Sequence, residues 1–240
     1  MPPTMTSENT RDAKAAFAAA SGSASFDGVS IINADCMDVM RGYPDAHFDL
    51  AICDPPWGIG ADKTQNKLGG KRGHTPKAGT YKKYHDTDWD RSPPNSNYFR
   101  ELLRVSKNQI VWGGNYYHDL HLSGVIIWCK LGSGNYKEGE MAKTSFNVFK
   151  VFRYSRADAY INDCDEKIHP TQKPVKLYSW LLHNHAEKGQ RILDTHLGSG
   201  SSAIACAQFG CEMVGCEIDP VYFATAVERI GRELQQGVML

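Results

Sequence analysis

No apolar stretch in this chain approaches the ~18 residues that a membrane-spanning helix needs, so no membrane partner is expected. The N-terminus does not run from a charged cluster into an apolar core, which argues against a secretory leader. Cysteine occurs at seven positions (36, 53, 129, 164, 206, 211 and 216) but never as CxxC. Several of these lie inside apolar runs, which predicts buried thiols in a reducing, cytoplasmic setting rather than disulfides or zinc. The histidines show no ligand spacing, so no metal is expected. Net charge is absent as well: 27 basic residues balance 27 acidic ones. Any basic surface for a polyanion must therefore be local. Internal repeats are not visible. Residues 1–25 are rich in Ala, Ser and Thr with few large apolar side chains, the composition of a disordered tail, with a short Ala-rich helix around Ala13–Ala20. The remaining 26–240 have the length of a single domain.

What is present is a rhythm. Strand-length apolar runs recur at Val29–Asn33, Phe48–Cys53, Gln109–Gly113, Val125–Cys129, Asn147–Phe152, Arg191–Asp194 and Glu212–Glu217. Several are nearly continuous rather than alternating, as in strands covered on both faces. Helical stretches fall between them at Asn95–Ser106, Pro174–Lys188, Ser201–Phe209 and Pro220–Leu234, the last with Asp219 as its natural cap. Seven strands alternating with helices predict a doubly wound α/β fold with a mostly parallel sheet. Two segments break the rhythm. Residues 58–92 include Tyr81, Tyr84 and Trp89, and within 62–83 hold Lys or Arg at 63, 67, 71, 72, 77, 82 and 83; residues 130–145 are Gly-rich with Lys130, Lys137 and Lys143. A long loop in a compact domain is usually functional or disordered. The segments 58–92 and 130–167 are therefore the candidates for contacting a nucleic acid, and Lys71, Arg72, Lys82 and Lys83 are the candidate phosphate ligands.

Three patches carry chemistry. Asp54-Pro55-Pro56-Trp57 follows the apolar run Phe48–Cys53. A carboxylate appears at a strand tip, two prolines stiffen the exit without adding backbone donors, and an indole stands beside them. Such a cluster of acceptors next to an aromatic face suits the amino group of a planar base. The plain alternative is a stiff turn with Trp57 in the core. Asp194 ends a second strand and leads through Gly198-Ser199-Gly200 into a helix, and Glu217 ends the next strand about twenty residues on. That acid is spaced as a ribose-hydroxyl acceptor is. Asp194 at the strand tip suits a ligand with a positive amino group, and the GxGxxG of dinucleotide sites is not present. Finally, Lys173 precedes Pro174 at the start of a helix, where a cation is unfavourable unless an anion is close by.

Asp54-Pro55-Pro56-Trp57, His169-Pro170-Thr171-Gln172-Lys173-Pro174 and Asp194-Thr195-His196-Leu197-Gly198-Ser199-Gly200 occur in that order. With them the chain resembles the β-class DNA amino-methyltransferases, in which the catalytic motif precedes the cofactor motif. The resemblance runs from about residue 29 to 231. It implies the Rossmann-like methyltransferase fold in a permuted order, with S-adenosylmethionine as cofactor and double-stranded DNA as substrate. Two departures stand out: His196 replaces an aromatic residue that flanks the cofactor in the family, and Ser201 stands where Thr is common. By the resemblance, Asp54 and the Pro55 carbonyl accept from the target amine, Pro56 stiffens the motif and Trp57 stacks on the base. Asp35 with the backbone of Cys36 reads the cofactor adenine, Glu217 holds the ribose, Lys173 with the turn Asp194–Ser201 (including His196, Gly198, Ser199 and Gly200) holds the methionine part, and Asp54 also belongs to the cofactor-binding set. Asp35 is also placed to cap a helix over Cys36–Arg41, and both roles are compatible. Asp at the first motif position goes mostly with adenine N6 in this family, and the expected activity is site-specific methylation of a flipped adenine. Cytosine N4, RNA adenosine, and a non-catalytic nucleic-acid-binding subunit are the alternatives. Limited recognition apparatus implies a homodimer, and no endonuclease signature accompanies the motifs, which implies a solitary enzyme.

Overall fold

The computed structural model of the protein describes residues 22–61, 88–131, 138–155, 158 and 167–237. Among these residues nine strands form one sheet in the order β1-β2-β9-β8-β3-β4-β6-β5-β7. They are β1 (Ser23–Phe26), β2 (Val29–Asn33), β3 (Phe48–Cys53), β4 (Ser106–Trp112), β5 (Gly124–Cys129), β6 (Gly139–Thr144), β7 (Phe149–Arg153), β8 (Arg191–Asp194) and β9 (Glu212–Glu217). The five at the centre, β2-β9-β8-β3-β4, are all parallel, with Leu50 opposite Ile192 and Leu193 opposite Val214. β6 runs antiparallel to both β4 and β5, and β1 antiparallel to β2.

The expected seven strands are thus nine. β6 lies inside 130–145, where only a Gly-rich break in the rhythm is visible. β1 places Ser23, Ala24 and Ser25 in the sheet, although the composition reads as tail through residue 25. The rest of that tail, up to residue 21, lies outside the described residues.

Among the described residues five helices cover the sheet: α1 (Cys36–Arg41), α2 (Ser96–Val105), α3 (Val175–His185), α4 (Ser201–Phe209) and α5 (Pro220–Gly237). The pleat sends alternate residues of β3 to opposite faces. Leu50 and Ile52 join Leu177 and Leu181 of α3, Ile204 of α4 and Ile230 of α5. Phe48, Ala51 and Cys53 join Val39 and Met40 of α1 and Phe99 and Leu102 of α2. A sheet covered on both faces explains why its strands read as unbroken apolar runs. The helix starts are chemically fixed. Asp35 accepts from Met37 N at 2.8 Å, Asn95 from Asn97 N at 3.0 Å, and Asp219 from Val221 N at 2.8 Å.

Candidate active site

Because β2, β9, β8 and β3 are parallel neighbours, their C-terminal tips lie in a row about 4.8 Å apart. Each tip carries a carboxylate: Asp35 after β2, Glu217 ending β9, Asp194 ending β8 and Asp54 after β3. The chain thus builds a line of four acids from residues up to 182 positions apart (Asp35 to Glu217). In open α/β sheets this carboxyl edge is where ligands bind.

The middle of the row is tightly wired. Asp194, 1% exposed, accepts from Ser202 Oγ at 2.6 Å and from His196 N at 3.0 Å. Burial pushes its carboxyl up to about 6 despite those donors. Glu217 accepts from Gly198 N and from Asp219 N, both at 2.9 Å, and burial raises it to about 7. The turn between them is held from beneath by Arg229, whose guanidinium donates to Ser199 O and Ser201 Oγ at 2.9 Å each. Gly200 has φ +78°, and a Cβ there would meet Ile230 Cδ1 at 2.7 Å, so only glycine lets the turn seat on α5. Ser199 and Ser201 hydroxyls pair at 3.2 Å. His196 bonds Thr195 Oγ1 at 2.9 Å and meets the Tyr98 ring edge-on, and burial lowers it to about 4, so it is a neutral imidazole at neutral pH. His169, lowered by burial to about 3, packs against Gly198 and sits between Trp89 and Tyr222. At the far end of the row Asp35 caps α1 and leaves its side chain exposed, and burial pushes the Cys36 thiol up.

Asp54 is the most connected member. Its Oδ2 is ion-paired with Lys173, and its Oδ1 accepts from Trp57 Nε1 at 3.2 Å. Burial pushes its carboxyl up, and Lys173 opposes that. The anion that a cation at the start of α3 demands is therefore internal, supplied by Asp54 and by Glu140 of β6, whose Oε2 lies 3.2 Å from Lys173 Nζ. The Trp57 indole stacks on Tyr116 at 5.2 Å and 19°, with Lys173 Nζ 5.3 Å from its centroid. It fits against Gly113, where a Cβ would stand 2.3 Å from Trp57 Nε1. Pro55 is buried and its carbonyl accepts from Tyr117 OH at 2.7 Å, while Pro56 continues the stiff link to Trp57. Beyond the motif, Asp90 is 1% exposed and accepts from three backbone N–H groups, those of Trp57 (2.6 Å), Gly58 (2.8 Å) and Ala61 (2.7 Å).

All the expected cofactor-side and catalytic positions thus lie along one sheet edge. Lys71, Arg72, Lys82 and Lys83 lie outside the described residues, as does most of 58–92. Glu140, Lys130, Asp90, Tyr117 and Arg229 were not visible as site residues in the sequence. Only Asp90, an acid beside the aromatic Trp89 at the end of the basic loop, offers a local hint. Among the described residues no group of three or more His, Cys, Asp or Glu side chains could hold a metal, and no helix is long and apolar enough to cross a membrane.

The fold is the Rossmann-like methyltransferase fold, and solved structures share it. The M1.HpyAVI–S-adenosylmethionine complex superposes with TM-score 0.54 at 16% identity, covering 84% of this chain and 98% of its own. The cytosine-N4-specific PvuII DNA methyltransferase gives TM-score 0.53 at 12% identity, covering 87% and 92%. YubD of Escherichia coli (strain K12), a methylase by name, is 23% identical over 229 residues, 86% of this chain and 93% of YubD. A family model described as DNA methylase matches residues 111–228 of this chain.

Proposed function

We propose that this protein transfers a methyl group from S-adenosylmethionine to the N6 amino group of an adenine flipped out of double-stranded DNA. The observation that carries the reading is the junction of two tips: Asp54 and the Pro55 carbonyl on β3 lie beside Asp194 and its Gly-Ser-Gly turn on β8. A row of four carboxylates with a close-approach glycine turn fits a ligand that carries an ammonium, a sulfonium and ribose hydroxyls. Asp194 and the backbone of Gly198, Ser199, Gly200 and Ser201 would hold the amino-acid end, Glu217 the ribose, and Asp35 with Cys36 the adenine. His196 lines the same turn. Bound there, the cofactor supplies an electrophilic methyl group.

The protein's own part is positioning and charge placement. An exocyclic amine delocalises its lone pair into the ring and is a poor nucleophile. Two acceptors on its hydrogens, Asp54 Oδ1 and Pro55 O, favour the pyramidal form with the lone pair free. Asp54 is also placed to take the proton the amine sheds. Trp57 and Tyr116 supply the aromatic face that offsets lost stacking when the base leaves the duplex. The indole N–H now on Oδ1 must yield to the amine, so Trp57 shifts when the base arrives.

Adenine is favoured over cytosine because Asp stands at the first motif position. The structural likeness to a cytosine-N4-specific enzyme keeps that alternative testable. Lys71, Arg72, Lys82 and Lys83 would bind phosphates, and their neutralisation should weaken binding to DNA and flatten its salt dependence. A homodimer would supply the recognition surface that one chain offers sparingly, and the mass on and off DNA tests it. The deciding experiment is labelled methyl transfer to unmethylated duplex DNA with nucleoside mass analysis. N6-methyldeoxyadenosine is the expected product; N4-methyldeoxycytidine would overturn the base assignment while leaving the reaction class standing.

A further inference from the structure

One half-buried side chain reaches the reacting end of the site from a strand that carries none of the motifs. Glu140 is the second residue of β6, and its side chain is 14% exposed. β6 runs antiparallel to β4, with Ala142 opposite Trp112, so its N-terminal end projects past the C-terminal tip of β4. That brings Glu140 to the same sheet edge as Asp54. Its Oε2 lies 3.2 Å from Lys173 Nζ, and its Oε1 is ion-paired with Lys130, the residue after β5. Charges then alternate along Lys130, Glu140, Lys173 and Asp54, with the lysine side chains only 5% and 3% exposed. Tyr178 of α3 faces the same group and feels both carboxylates.

Charge balance alone does not explain this array. Asp54 and Lys173 are already a neutral pair, and burying two further charges costs several kcal/mol per ion before their attraction repays it. What Glu140 adds is a second claimant on Lys173. Without it, the whole ammonium would turn to Asp54 Oδ2 and draw charge from the carboxylate whose Oδ1 the target amine needs. With it, the ammonium is shared, and Lys173 is fixed from both sides. Burial alone would push the Glu140 carboxyl up; Lys173 and Lys130 overcome that and hold it at about 2, so it is ionised throughout the neutral range.

We propose that Glu140 is a positioning residue for methyl transfer: by sharing Lys173 it orients the Asp54 carboxylate and preserves its strength as an acceptor for the target amine. This rests on the reading of Asp54 as that acceptor. In this role Glu140 acts on the target amine through Lys173.

The test is Glu140→Gln, which keeps the shape and removes the charge, beside Glu140→Gln/Lys130→Gln, which restores neutrality. Glu140→Gln is expected to lower kcat about tenfold or more, with KM for cofactor and DNA within about twofold. The double variant is expected to regain the wild-type melting temperature without regaining kcat. Recovery of kcat together with stability would mark a purely structural role and overturn the proposal, as would wild-type kcat in Glu140→Gln. The nitrogen NMR signal of the Lys173 ammonium reads the array without any turnover, and it should shift in Glu140→Gln. An unshifted signal overturns the link between Glu140 and Lys173. A shifted signal in a protein that methylates no nucleic acid overturns instead the role given to Asp54.

Discussion

Asp54 shows how a single side chain is prepared before any ligand arrives. Lys173 holds one carboxylate oxygen and the Trp57 indole N–H the other, while Tyr117 OH holds the Pro55 carbonyl. The acceptors that would meet the target amine are therefore aimed in advance, which is what preorganisation requires. Gly113 makes room for this arrangement. Gly113→Ala would strain a backbone at φ +76° and drive a methyl into the indole. We expect a loss of about 1–2 kcal/mol from the backbone alone and a fall in turnover as Trp57 is displaced. Wild-type melting temperature and turnover would contradict the packing. Glu217 gives a pH prediction. Its carboxyl is raised to about 7, so it is largely protonated below that pH and ionised above it. If the ionised form accepts from the ribose hydroxyls, affinity for S-adenosylmethionine should strengthen as pH rises through about 7 and then level off. Calorimetry across pH reads this; Glu217→Gln should flatten the curve, and a wild-type curve that is already flat would contradict the role. Asp54, Asp194 and Glu217 were legible in the sequence because each ends an apolar run beside its own turn. Tyr117, Asp90 and Arg229 were not, because their partners lie 62, 33 and 30 residues away and no local pattern marks them.

The strands and helices that the sequence marked clearly are those whose pattern is decided locally. Val29–Asn33, Phe48–Cys53, Arg191–Asp194, Glu212–Glu217 and Ser201–Phe209 stand where the apolar runs and the Gly turn put them. β6 escaped for a physical reason. Gly139-Glu140-Met141-Ala142-Lys143-Thr144 is poor in β-branched and aromatic residues, and it is a strand because β4 and β5 flank it on both sides. Its one acid, half-buried Glu140, is the one that reaches Lys173. The loop that leaves the Asp54 motif is likewise closed by a tertiary contact, since residues 57–61 and Asp90 are joined by three N–H bonds to a single carboxylate. Asp90→Asn offers one acceptor oxygen in place of two and turns an N–H₂ towards a backbone donor. It should destabilise the protein by about 1–3 kcal/mol and lower kcat by loosening Trp57. Chemical denaturation checks the first effect and turnover the second, and unchanged stability would show that the clamp is not needed.

Taken together, the domain is a device for lining up strand tips. The order β2-β9-β8-β3 gathers Asp35, Glu217, Asp194 and Asp54 from both ends of the chain onto one edge. The permuted order of the motifs is visible in the sequence, but the row of acids is not, because only the crossover pattern makes β9 and β2 neighbours. Among the described residues two helices pack on one face and three on the other, and the row of acids stands at the carboxyl edge between them. Asp54 is the centre of the proposed reaction. Asp54→Ala should leave the fold intact, since Lys173 keeps Glu140 as a partner, and it should leave cofactor affinity within a few-fold. Single-turnover methyl transfer to duplex DNA by this variant is the measurement to make. The predicted result is a fall of about a thousandfold with an unchanged circular dichroism spectrum. Transfer at the wild-type rate would contradict the mechanism and move the reacting centre away from the tip of β3.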